Sequence, residues 1–254
     1  MRIQHNIMAM NANRNLTFNN TQLGKNLEKL SSGYRINRAG DDAAGLAISE
    51  KMRADVAIYD QAIRNANDGI SMVQTAEGAL TEVHSMLNRL VTLSTQAANG
   101  TYSGTDTGNI TKEVTALCAE ITRIASDTKF NGLNAFGGAK FQVSESSKIS
   151  MAAITVPTVS ITAGSAAIAT LKGHINTVSQ ARADLGAVQN RLEHTVNNLG
   201  VTMENLQNAE SQIRDTNVAD EMMKYTKNNI LIQSAQAMLA QANQVPQGVL
   251  QLMQ

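Results

Sequence analysis

IATLKGHINTVSQARADLGAVQNRLEHTVNNLGVTMENLQNAESQIR, residues 168–214, is the stretch that decides the fold. Stepping by seven from Leu171 meets Val178, Leu185, Leu192, Leu199, Leu206 and Ile213, every one aliphatic. Three residues after the first six of these lie His174, Ala181, Val188, Thr195, Thr202 and Ala209, a smaller and more mixed row. Ile175, Val196 and Met203 widen the stripe on one flank. A seven-residue repeat keeps one helix face apolar turn after turn, so it predicts a coiled-coil-like helix. At 1.5 Å per residue such a helix runs about 70 Å.

Outward from this stretch the same pattern returns. Val73, Leu80 and Leu87 step by seven, as do Ala76, Val83, Leu90 and Ala97. This predicts a second long helix from about Asp41–Ala44 to Asn99–Gly100, where glycine supplies a stop. TYSGTDTGN (101–109) reads as a polar loop, followed by a shorter helix carrying Ile110, Val114, Leu117, Ile121 and Ile124. Three such stripes can be buried against one another in an elongated antiparallel bundle. Within 127–167 Gly137 and Gly138 punctuate the chain and β-branched residues become frequent, which predicts a loop and a small β-hairpin at about 138–165.

The two ends have a character of their own. Residues 1–40 carry six basic residues against the single acid Glu28, whereas residues 228–254 carry no charge. Yet Leu16, Leu23 and Leu30 step by seven with Leu27 beside them, and so do Leu231, Met238, Val245 and Leu252. Neither stripe can be buried by a lone helix, so the terminal helices are expected to pair and the pair to pack on other copies. The fold class is mainly α, with a small β-hairpin and paired terminal helices.

Composition excludes several functions. Apolar residues make up 43% of the 254, so a sizeable core is possible, and only two prolines interrupt the chain. The formal net charge is zero, with 21 basic and 21 acidic residues, which gives no general attraction to nucleic acid or anionic membrane. Cys118 is the single cysteine, so no internal disulfide framework exists. No stretch has the length of a signal-peptide core or a membrane span. His5, His84, His174 and His194 fall on separate segments and make no HExxH constellation. Arg38–Gly45 has two adjacent acids without further oxygen ligands at calcium-loop spacing, so Asp41 or Asp42 reads as a helix cap. No catalytic, cofactor or metal site is expected.

LEKLSSGYRINRAGDDAAGLAISEKMR (27–53) resembles the N-terminal signature of bacterial flagellins, and NANDGISMVQTAEGAL (65–80) and DTKFNGLNAF (127–136) continue it. SQIRDTNVADEMMKYTKNNILIQSAQAMLAQANQVPQGVLQLM (211–253) resembles the flagellin C-terminus. The resemblance covers about residues 1–140 and 168–254. It implies a filament-core domain from 1–40 plus 217–254 and an outer rod-like helical domain from 41–216. Only about 30 residues separate the two matching halves, so the variable outer domains of larger flagellins are expected to be absent. The terminal leucines Leu16, Leu23, Leu27 and Leu30, with Leu231, Met238, Val245 and Leu252, would form the polymerisation core.

The same resemblance implies a homo-polymer of many copies outside the cell. The subunit would be exported unfolded through the flagellar type III apparatus without a cleavable signal peptide. Implied partners are a cytosolic export chaperone at the C-terminal segment, the filament cap and hook-associated junction proteins. A vertebrate innate-immune flagellin receptor is a further implied partner, with Arg89, Leu93 and Glu113 matching the family's contact residues. Leu90-Val91-Thr92 departs from the more charged stretch common there, which implies weaker recognition. A hook–filament junction protein is the nearest alternative, and a soluble signalling coiled coil a more distant one.

Overall fold

The computed structural model describes residues 6–162 and 164–252, and the side chains among them other than those of residues 165 and 245–252. In chain order the elements are α1 (Ile7–Ser32), α2 (Ala43–Ala97), α3 (Gly104–Asp127), β1 (Lys129–Phe130), β2 (Leu133–Asn134), β3 (Ala139–Gln142), β4 (Lys148–Met151), α4 (Ser165–Arg214) and α5 (Val218–Leu252). The protein is mainly α. The chain divides into two compact units: a terminal unit of residues 1–54 and 205–254, and a middle unit of residues 55–204.

The middle unit is built on the predicted stripes. Val73, Ala76, Leu80, Val83, Leu87 and Leu90 of α2 are all fully buried, as are Leu171, Val178, Leu185 and Leu192 of α4 or nearly so. Val114 and Ile121 of α3 join them, flanked by Ile110 and Cys118. Each such leucine removes apolar surface from water, a gross transfer gain of about 1.5–3 kcal/mol per side chain. The helices run antiparallel. Arg89 of α2 meets Glu113 of α3, Glu77 of α2 meets Arg182 of α4, and Ala66 packs in one cluster with Leu192.

Helix α3 begins at Gly104, inside the stretch that reads as a loop in the sequence. Ser103 and Asp106 form a capping box there: the Ser103 side chain accepts from Asp106 N–H, and Asp106 accepts from Ser103 N–H. This satisfies two orphan donors and offsets the cost of Gly104 and Gly108 in the first turns.

Two small hairpins close the middle unit. β1 pairs antiparallel with β2 around the two-residue turn Asn131-Gly132, both at positive φ (48° and 80°), as a type I′ hairpin requires. β3 pairs with β4 in the register Ala139↔Met151 to Gln142↔Lys148. The hairpin region expected at about 138–165 thus holds strands only to Met151, and residues 152–162 form none. That segment instead lays Ile154, Val156, Val159 and Ile161 onto the helical core, and Pro157 lacks the N–H a ladder needs. Phe141 of β3 seats over Gly69 of α2, where an added Cβ would lie 2.9 Å from the ring.

In the terminal unit α1 packs along α5, and the linking turns knit to the end of α4. Thr216 N–H donates to Gly33 O at 2.9 Å, and Arg35 N–H donates to Arg214 O at 2.6 Å. The Arg35 side chain also donates to Ile213 O. Arg214 donates to Glu50 at 2.7 Å, and its guanidinium lies 4.7 Å from the Tyr34 ring centroid. These bonds draw the first turns of α2 and the last turns of α4 into the terminal unit. The units therefore divide at 54/55 and 204/205, inside the helices, whereas the family resemblance implies divisions at 40/41 and 216/217.

Candidate polymerisation surface

The terminal unit presents two helices with one shared seam and large apolar side chains left outside it. Asn6 caps α1, accepting from Ala9 N–H at 3.0 Å while its amide donates to Ala242 O of α5 at 2.8 Å. Gly33 closes α1 in the left-handed region, its N–H donating to Lys29 O at 2.9 Å. The next turn is held by Asp41, which accepts from Asn37 and Arg38 N–H, and by Asp42, which accepts from Gly45 N–H at 2.9 Å. The two backbone donors hold the Asp41 carboxyl below the usual carboxylate range. Asp42 is thus the cap of α2. Gly45 is required beside it, since a Cβ there would lie 2.4 Å from the Asp42 carboxylate.

The seam follows heptad spacing. On α1 the half-buried positions include Ala9, Ala12, Leu16, Asn19, Leu23 and Leu30, with Asn26 buried among them. On α5 the facing positions are Glu221, Tyr225, Asn228, Ile232, Ala235, Leu239 and Ala242. Leu16, Leu23 and Leu30 therefore face α5. Leu27 does not; it is 52% exposed. Leu231 and Met238, at 39% and 61% exposed, also lie off the seam. The α5 row that meets the N-terminal leucines is Ile232 and Leu239, one residue over. The side chains of Val245 and Leu252 lie outside the described residues.

Among the described residues, large apolar side chains remain outside the seam. Ile7, Met8, Met10 and Phe18 of α1 are exposed, as are Met222, Met223 and Ile230 of α5. Large apolar side chains exposed on paired helices make this a candidate surface for meeting another protein. Methionine suits such a face because it repacks readily. From Asn228 onward α5 carries no charge that would need a partner on burial.

The other sequence-derived residues sit in the middle unit. Arg89 and Glu113 pair with each other, at 2.8 Å and 2.9 Å to one carboxylate oxygen, and both remain substantially exposed. Leu93 is 2% exposed and belongs to the helical core, so it offers no surface to a partner. Cys118 is buried in the same core, and burial pushes its thiol pKa up. Among the described residues no three His, Cys, Asp or Glu side chains are grouped to hold a metal ion. Among them, too, no helix is long and apolar enough to cross a membrane.

Sequence reasoning does not single out the polar trio of Asn26 and Glu221, both buried, and the half-buried Asn228. Its signal was available: Asn26 stands on the row of Asn19 and Ala12, between Leu23 and Leu30, where an apolar residue would continue the stripe.

Comparison with known proteins matches nearly the whole chain. Residues 3–140 match the family described as bacterial flagellin N-terminal helical region, and residues 168–253 its C-terminal helical region. A flagellin of Halalkalibacterium halodurans is 49% identical, with all of both chains covered. A flagellin of Bacillus subtilis is 45% identical, again over the full length of both. The flagellin FlaB1 of Treponema pallidum is 42% identical over the full length of both.

Proposed function

The chain belongs to the bacterial flagellin family, and from that premise we propose that its terminal unit carries the contacts that build the polymer. The protein is a structural subunit of the flagellar filament, exterior to the cell. The relatives described above are flagellins, and nothing among them favours a hook–filament junction protein.

One observation carries the assignment of the contact: Leu231 and Met238 stand exposed on a helix end without charge, outside the α1–α5 seam. With Leu27 they form the apolar surface that copies bury between them, while Leu16, Leu23 and Leu30 hold α1 to α5. Val245 and Leu252 continue the α5 row. The test is Leu231→Glu with Met238→Glu. The double variant stays helical and monomeric, and sedimentation finds no polymer. Filament yield equal to the parent's removes these residues from the contact.

The finer partners extend the same reading. The subunit passes unfolded through the flagellar export apparatus, handed over by a chaperone that holds the apolar C-terminal segment. It then assembles beneath a cap, on hook-associated junction proteins. An innate-immune flagellin receptor would meet the Arg89–Glu113 pair; with Leu93 in the core, fewer contacts remain and binding is weak. Equal receptor affinity for the parent and for Arg89→Ala plus Glu113→Ala removes that pair from the site.

A further inference from the structure

Among the described residues, the most deeply buried side chains of the α1–α5 seam are polar. Asn26 is the buried residue of α1 at 7% exposed, and Glu221 of α5 is 3% exposed. With its amide turned to satisfy its neighbours, Asn26 Nδ2 donates to Glu221 Oε1 at 2.9 Å and to Gln22 O at 3.1 Å. Its Oδ1 accepts from Asn228 Nδ2 at 3.0 Å. Glu221 Oε2 accepts from Lys224 Nζ at 3.1 Å. Every member of the cluster has a partner, and the partners come from both helices.

Apolar contacts alone do not choose an alignment here. Leu16, Leu23 and Leu30 repeat every seven residues, as do Ile232 and Leu239, and Ala235 and Ala242. Sliding α1 by one heptad still lays leucine at two of the three leucine sites, with Ala9 or Asn37 at the third. The polar cluster is what the slide breaks. One direction brings Gly33 to Glu221 and leaves a buried carboxylate without its amide. The other brings Asn19 there but carries Asn26 past Val218, the first residue of α5. Buried polar groups in a helix pair are costly, and their best-attested use is to fix register.

We propose that Asn26, Glu221 and Asn228 set the register of the α1–α5 pair and thereby decide which copies can join the filament. The second half of this rests on the reading of these helices as the polymer core; the register itself does not. The rival device is the pair of backbone bonds at the base, Thr216 N–H to Gly33 O and Arg35 N–H to Arg214 O. The test leaves those intact.

The experiment uses the full chain with Cys118→Ser and spin labels on cysteines placed at the exposed Asn13 and Gln236. Pulsed dipolar spectroscopy reads their separation, and sedimentation reads assembly. The parent gives one narrow distance. Asn26→Leu, Glu221→Leu and Asn228→Leu together keep the helices paired but add a second population, slid by one heptad or about 10 Å along the axis. Its filament yield falls severalfold. Glu221→Gln, which retains hydrogen bonding to the amides, keeps the single distance. A single unshifted distance in the triple variant overturns the proposal in favour of the base bonds. A broad distribution in the parent, or loss of pairing in the triple variant, overturns it as well. A slipped variant that polymerises like the parent overturns the link to assembly. A parent chain that gives one distance but no filaments counts against the proposed function, not against the register.

Discussion

Glu50 shows how much structure one carboxylate can organise. Hydrogen bonding from Arg214, and then the nearby charge of Arg53, hold its carboxyl below the ordinary value of 4.5. A depressed folded-state pKa means the unfolded chain binds the proton more readily. The stabilisation is therefore present above the unfolded pKa and is lost as pH falls through the folded one. Glu50→Gln is expected to lower the urea midpoint at neutral pH, with the gap to the parent closing in the acid range below 4.5. A gap that stays constant with pH would contradict the pairing. Two glycines of α2 make a contrasting pair. At Gly69 a Cβ would meet the Phe141 ring, so Gly69→Ala overpacks at a cost of about 1–3 kcal/mol that outweighs the helix-propensity gain. At Gly78 nothing lies within 4 Å, so Gly78→Ala stabilises by about 0.5–1 kcal/mol. Urea titration of both variants separates the two cases. In the sequence these glycines look alike, because the reason for Gly69 is a ring delivered by a hairpin far along the chain.

At the scale of elements, the stripes of α2, α3 and α4 are legible because each helix carries its own record of the face it buries. Leu80→Ala opens a cavity in that face and is expected to cost about 2–5 kcal/mol by denaturant unfolding. A cost near zero would place Leu80 outside the core. Element ends are written less plainly. The start of α3 depends on a reciprocal bond between Ser103 and Asp106 inside a glycine-rich stretch, and Ser103→Ala is expected to cost about 1 kcal/mol. Residues 152–162 carry the β-branched composition of a strand but find helices, not another strand, to pack on. On α5 two adjacent rows are both apolar, and which one faces α1 is decided by the partner. The seven-residue step in the sequence marks the row of Leu231 and Met238; the seam uses the neighbouring row of Ile232 and Leu239. The polar trio shares this origin, since Asn26 gains its meaning only when Glu221 and Asn228 stand opposite.

For the whole molecule, the two ends of the chain meet in one unit and leave apolar surface unburied there. A net charge of zero offers little electrostatic resistance to bringing copies together. The family could be read from the termini because co-linear matches at both ends carry it. The unit boundaries could not, because they fall within continuous helices and follow from bonds such as Arg214 to Glu50. On the proposal above, the terminal unit makes the polymer. The direct test is negative-stain microscopy of the purified full chain beside a chain lacking residues 228–254. The full chain is expected to form long filaments, and the shortened chain to remain monomeric with the unfolding of its middle unit unchanged. Filaments of the same width from the shortened chain would contradict the account.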